Sequence, residues 1–261
     1  MQELLAVMDR LRDPDTGCPW DLAQDYRSIV PHTLEEAYEV AEAIESGDLP
    51  ALRDELGDLL FQVVFYARLA AEEGRFAFAD VARQAAAKLR HRHPHVFGDA
   101  KESDAASQSH TWEAIKAQER AARGGPTGAL DGVARSLPAL SRAAKLQRRA
   151  ARVGFDWDSV HPVLDKVREE LDELTEELAG GADPARVEEE LGDLLFACAN
   201  LGRHLEADPE QALRAANRKF ERRFAEVEAI VRERGQDPQA VGLEELEAAW
   251  QEAKRRESQR D

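Results

Sequence analysis

Residues 55–61 read Glu-Leu-Gly-Asp-Leu-Leu-Phe, and residues 190–196 read the same seven letters in the same order. Seven consecutive identities do not arise by chance in a chain of 261 residues. The phrase therefore points to an internal duplication. Its two copies are related by a shift of 135, and neighbouring landmarks follow nearly the same shift. Upstream, Glu36-Ala-Tyr-Glu39 falls on Glu170-Leu-Asp-Glu173 with a shift of 134. Gly17-Cys-Pro-Trp20 falls on Gly154-Phe-Asp-Trp157 with a shift of 137. Downstream, Trp112 and Lys116 fall on Trp250 and Lys254 with a shift of 138. The drift fits small insertions and deletions in loops.

The periodicity is helical nearly throughout, and alternating runs of strand type are absent. Leu4, Leu5, Met8 and Leu11 share one face of a first helix. Pro31 suits a first turn and opens a helix predicted to reach Ser46, where Gly47 stops it. Asp48 caps the next helix, which carries the repeated phrase toward Gly74. Helices are also predicted over 77–92, 110–122, 138–152 and 162–178. Asp183 and Pro184 start a helix running to about Leu205; others end near Glu233 and Glu257. The Gly- and Pro-rich stretch GGPTGALDG at 124–132 is the best linker candidate. The expected fold is all-α: two tandem helical-bundle domains related by duplication, 1–123 and 134–261, joined by a linker at 124–133.

Bulk composition narrows the function. The formal charge of −17 argues against a broad basic surface for a nucleic acid polymer. It leaves room for a small polyanion held through a cation and a few basic side chains. The N-terminal MQELLAVMDRLRD reads as an amphipathic helix, not a signal peptide, and no apolar run reaches the ~20 residues of a membrane span. Two distant cysteines, Cys18 and Cys198, read as free thiols of a reducing compartment, so the expected location is cytoplasmic.

Residues three apart on a helix share a face. Glu170 and Glu173 therefore point the same way, as do Glu190 and Asp193. If the two helices pack antiparallel, four carboxylates converge, and their repulsion calls for a divalent cation. An all-oxygen set selects Mg²⁺, or Mn²⁺ as a substitute. Glu36, Glu39, Glu55 and Asp58 make a second possible set. An isolated ExxE is ordinary on a solvated helix face. Its recurrence in both halves, tied to ELGD and an apolar run, is not. Gly57 and Gly192 each cost a helix interior about 1 kcal/mol, which suggests close approach of something to the backbone beside the metal. The His91, His93 and His95 cluster is interrupted by Pro94 and reads as structural or as a substrate rim. ExxH, paired-cysteine and Gly-rich phosphate-loop motifs are all missing.

These phrases together resemble a known family. EExxE followed by ExxD on the next helix, LGDLLF, GCPWD, RHRHPHVF and NRKFERRF are similar to the MazG nucleoside triphosphate pyrophosphohydrolases. These belong to the all-α nucleotide pyrophosphohydrolases, alongside dimeric dUTPases. RHRHPHVF departs slightly, since the pattern has adjacent arginines there. The resemblance spans almost the whole chain, including its tandem arrangement. It implies Mg²⁺-dependent hydrolysis of a nucleoside triphosphate to monophosphate and pyrophosphate, a homodimer whose subunits complete each other's bundles, and a housecleaning role in the nucleotide pool.

The residues agree with that implication. Glu170, Glu173, Glu190 and Asp193 would hold Mg²⁺ against a triphosphate, with Glu169 a spare carboxylate for orienting water. Lys219, Arg222 and Arg223 suit phosphates, or form a solvated basic face. Trp157 and Trp250 could stack a base or simply fill core, and Lys254 lies one turn beyond Trp250. The halves are unequal. Lys166 stands where the first half has His32, Arg186 where it has Ala51, and Asn200 where it has Phe65. Lys166 and Arg186 each precede a cage glutamate by one turn, with Glu189 among the substrate-side groups, and Asn200 can read a base or ribose. The C-terminal half is therefore the expected main catalytic site. The first half retains Trp20, Lys88, Arg92, Trp112 and Lys116 beside its own carboxylates. The competing readings are a phosphatase that removes the terminal phosphate and a nucleotide sensor that binds a protein partner without turnover.

Overall fold

The structure, a computed structural model, describes residues 1–98, 128–181 and 183–259. Every regular element among them is an α-helix. The chain divides into two compact units, Met1–Arg123 and Gly124–Asp261.

The first unit runs through α1 (Gln2–Leu11), α2 (Pro19–Leu22), α3 (Val30–Ser46), α4 (Leu49–Glu72), α5 (Phe78–Arg92) and α6 (Pro94–Phe97). Chain punctuation explains the joints. Gly47 closes α3 with φ at +73°, a conformation that resists any Cβ. Asp48 then accepts a hydrogen bond from the Ala51 N–H at 3.0 Å, which caps α4. The two-residue joint folds α3 back on α4 as a helical hairpin, and α1 packs on α4. At Gly17 a Cβ would lie 2.5 Å from the carbonyl oxygens of Leu11 and Asp13, so only glycine fits the turn before α2. The core joins Met8, Ile29, Val64, Phe65 and Leu69. Full burial of Phe65 alone contributes roughly 1.5–3 kcal/mol. The helix predicted over 110–122, with Trp112 and Lys116, lies outside the described residues.

The second unit contains α7 (Ala139–Ala151), α8 (Val160–Ala179), α9 (Pro184–His204), α10 (Pro209–Glu233) and α11 (Leu243–Ser258). Asp183 and Asp208 cap α9 and α10 through backbone N–H groups, each followed by a proline in the first turn. α8 pairs with α9, α10 pairs with α11, and α7 lies against α9 and α10. One core cluster joins Val227, Ile230 and Val231 of α10 to Ala249 and Ala253 of α11. Of the stretch read as a linker, residues 128–133 pack with this unit: Val133 is buried and Leu130 lines a cavity described below.

The interiors of the two units differ in volume. Where α4 buries Val64 and Phe65, the matching positions of α9 bury Ala199 and Asn200. α7 contributes two further buried alanines, Ala143 and Ala144. Smaller side chains around the same helical frame leave space inside the second unit.

Candidate functional site

The α8–α9 hairpin brings Glu170, Glu190 and Asp193 together, with one carboxylate oxygen of each within 4.8 Å of the others. Glu170 and Glu190 are buried, at 6% and 8% exposed, while Asp193 faces solvent. Glu173 stands one turn along α8 and is exposed. Lost hydration raises its carboxyl above the ordinary range, and repulsion from Glu170 and Glu190 adds to this. Its charge is thus felt by the cluster, although its oxygens lie outside the group of three.

Two cations border the carboxylates. Lys166 Nζ sits 2.9 Å from Glu169 Oε1 and 2.8 Å from Glu170 Oε1. Hydrogen bonds to Glu169 and then Glu170 hold its ammonium well above the usual lysine range. Arg186 reaches Glu189 at 3.0 Å, Glu190 at 3.1 Å and Glu177 at 3.5 Å. Two buried carboxylates are tolerated here because each has a cation within reach. Hard oxygen donors that converge and repel one another fit Mg²⁺ or Mn²⁺.

A cavity of about 410 Å³ opens beside the cluster. Lys166, Glu170 and Asp193 form part of its wall. Leu130, Leu146, Phe155, Trp157 and Phe196 make the rest largely apolar. Asn200, Gln147, Asp156 and Arg203 are its other polar lining groups. Asn200 lines it at the position where the first unit has a phenylalanine.

A clamp holds the loop between α7 and α8 on this cavity. Arg203 of α9 donates from Nη1 to Asp156 Oδ2 at 2.8 Å, and from Nη2 to Asp156 Oδ1. His204 Nε2 lies 3.1 Å from the same Oδ1. The Arg203 bonds, joined by His204, pull the Asp156 carboxyl down to about 2. Phe155 and Trp157 flank Asp156, so the clamp fixes the aromatic part of the wall. Sequence spacing missed Asp156, Arg203 and Gln147. The GFDWD repeat gave the only signal, with Asp156 standing where the first half has Pro19.

The remaining candidates form a separate cluster on α10 and α11. Arg223 Nε lies 2.5 Å from Glu257 Oε2 and Arg222 Nη2 is 3.5 Å from Glu257 Oε1. The Trp250 ring centroid is 5.5 Å from that of Phe220 and 5.9 Å from Arg223 Cζ. Lys219 and Lys254 are exposed on the same two helices. None of Lys219, Arg222, Arg223, Trp250 and Lys254 lines the cavity within the unit.

The first unit repeats the carboxylates, with His32, Ala51 and Phe65 at the positions of Lys166, Arg186 and Asn200. Glu36, Glu39 and Glu55 bring oxygens within 4.8 Å of one another. Burial, then repulsion from Asp58 and Glu39, raises Glu36. Lost hydration, then repulsion from Glu39 and Asp58, raises Glu55. Trp20 packs edge-on against His32, ring centroids 5.8 Å apart. Lys88 is exposed on α5, which ends with Arg92. Pro94 starts α6 after a break at His93, whose Nδ1 lies 2.7 Å from the Leu89 carbonyl oxygen. At Asn200's counterpart the fully buried Phe65 fills the space. Both cysteines are free thiols. No helix among the described residues is long and apolar enough to cross a membrane.

Comparison with known proteins follows the same two-part layout. The MazG nucleotide pyrophosphohydrolase domain is matched at residues 24–97 and again at 159–227. The chain is 54% identical over 258 residues to the nucleoside triphosphate pyrophosphohydrolase of Escherichia coli K12, covering 98% of each. It is 43% identical over 253 residues to the nucleoside triphosphate pyrophosphohydrolase/pyrophosphatase MazG of Thermotoga maritima, covering 97% of this chain and 95% of that one. The second match spans the α8–α9 carboxylates and the first spans their α3–α4 counterparts. With both carboxylate hairpins inside matched segments, the chain belongs to the MazG nucleotide pyrophosphohydrolase family.

Proposed function

We propose that the chain hydrolyses nucleoside triphosphates between the α- and β-phosphates, giving the monophosphate and pyrophosphate, chiefly in its second unit. The observation that carries this reading is the group of Glu170, Glu190 and Asp193, of which Glu170 and Asp193 line, with Lys166, a largely apolar cavity. The cavity suits a base and sugar, and the carboxylates suit the phosphates through a cation.

Glu170, Glu190 and Asp193, with Glu173 adjacent, would hold Mg²⁺, or Mn²⁺ in its place. Such an ion supplies charge neutralisation of the triphosphate and a more acidic water. Lys166 and Arg186, already among the carboxylates, orient the triphosphate by charge and hydrogen bonds. Glu169, bonded to Lys166, would orient the attacking water. Trp157, beside Phe155, stacks the base. Lys219, Arg222, Arg223, Trp250 and Lys254 provide a second basic and aromatic surface for phosphates in a homodimer. Exposed Leu171, Leu191 and Leu195 on α8 and α9 support a second copy as the partner. The role is housecleaning of the cytoplasmic nucleotide pool.

Phosphorus NMR of the full chain with Mg²⁺ and mixed nucleoside triphosphates tests the reaction. Monophosphate and pyrophosphate must appear together. Diphosphate with orthophosphate would overturn the cleavage position. Nucleotide binding without products would favour a sensor. In the full chain, Glu190→Gln should silence turnover and Glu55→Gln should not; the reverse would move catalysis to the first unit.

A further inference from the structure

Phe155 and Trp157 line the cavity, yet they are 81% and 43% exposed, so packing does little to hold either ring. No regular element lies between Ala151 and Val160 to hold them instead. Their place depends on Asp156 between them. The Trp157 N–H donates to Asp156 Oδ1 at 2.9 Å, and both terminal nitrogens of Arg203 tie that carboxylate across to α9. Arg203 Nε donates to Asn200 Oδ1 at 2.8 Å, and Nη2 lies 2.8 Å from His204 Nε2. Every nitrogen of this guanidinium is engaged within the chain, which makes it a fixture of the wall and not a phosphate ligand. The first unit is built otherwise. Trp20, the counterpart of Trp157, sits on the helical turn α2, with Pro19 in the place of Asp156. Arg68, the counterpart of Arg203, turns to Asp9 at 2.6 Å and Glu72 at 2.9 Å.

We propose that Asp156 and Arg203 are positioning residues for nucleotide affinity: they hold Phe155 and Trp157 as the face on which the base stacks, and leave the phosphate end untouched. The proposal rests on the cavity being the nucleotide pocket. Arg203 stands ten residues beyond Asp193 on α9, about 15 Å along the helix, so the carboxylates keep their geometry when the clamp is lost. Affinity and turnover should therefore separate.

Calorimetric binding in Mg²⁺, with the full chain, tests the clamp. The probe is whichever α,β-methylene triphosphate of the four natural bases binds the wild type most tightly. Asp156→Asn and Arg203→Met should each weaken binding about fivefold or more, the low end of what one base–aromatic stack contributes. Turnover of the ordinary triphosphate at saturation should stay within about twofold. Arg203→Lys, which keeps a charge beside Asp156, should regain much of the affinity. Val227→Ala, a core truncation on α10 away from the cavity, should weaken the fold and leave affinity alone. With Phe155 and Trp157 both replaced by Ala, Asp156→Asn should add less than about twofold, because nothing is left for the clamp to position. If Arg203→Met does not fold, Asp156→Asn in the two backgrounds still decides. Unchanged affinity in Asp156→Asn, or an equal loss with and without the two rings, overturns the proposal. Clamp-dependent binding without hydrolysis would sink the pyrophosphohydrolase reading and support the clamp. Failure to bind any of the probes would overturn both.

Discussion

The Asp156–Arg203 clamp is the feature whose strength can be worked out most directly. Replacing Asp156 with Asn keeps the shape and removes the charge. The carboxyl falls from its ordinary 3.8 to about 2 in the folded chain. That shift corresponds to about 2.5 kcal/mol of linked stability, and the 27% exposure of the side chain trims it to about 2 kcal/mol. The folded value lies below the unfolded one, so the stabilisation is fully present above pH ~4 and is lost as pH falls toward ~2. Asp156→Asn should therefore lower stability by about 2 kcal/mol at pH 7, and by about half of that at pH 3. Urea unfolding of the full chain, followed by Trp157 fluorescence with the other three tryptophans replaced by Phe in both proteins, measures the difference. A gap below about 0.5 kcal/mol at pH 7, or one that does not shrink at pH 3, would refute the clamp.

Four further outcomes are expected. Glu190→Gln and Asp193→Asn should each lower Mg²⁺-dependent turnover by about 100-fold or more while circular dichroism stays helical; turnover within a few-fold of wild type in both would remove the metal role. Apparent Mg²⁺ affinity should fall on acidification from pH 7, because protons then compete with the ion for the carboxylates, beginning with the raised carboxyl of Glu173; a pH-independent affinity measured by calorimetry would contradict this. Gly192→Ala should raise the melting temperature, because a helix interior gains about 1 kcal/mol and, beyond the surrounding backbone of its own helix, nothing lies within 4 Å of the new Cβ. The same variant should lose activity, since the open space beside Gly192 is then needed by a ligand or second subunit; full activity would show that nothing approaches there. Phe65→Ala should cost about 3–5 kcal/mol in the first unit and leave pyrophosphate release by the second intact, with urea unfolding and product assays reporting each.

The sequence by itself determined the helical class, the duplication and the carboxylate hairpins. Those features live in local order: Gly47 before Asp48, Asp183 before Pro184, and ExxE one hairpin away from ELGD. Helix spacing placed Glu170 with Glu173, and Glu190 with Asp193, on one face of each helix, and Lys166 and Arg186 one turn from them; the fold brought the two faces together. Tertiary structure decided the rest. Asn200 lines the cavity at the position that Phe65 fills in the first unit, and a volume difference becomes a pocket only when α7 packs against α9. Gln147 carries no signal in its own helix, because its partner, the Phe196 carbonyl oxygen, belongs to another. Arg203 and Asp156 are 47 residues apart, and only folding makes them a clamp. Charged and apolar side chains announce themselves along a chain through periodicity, whereas the orientation of a buried amide is set by whichever donor or acceptor the fold places opposite it.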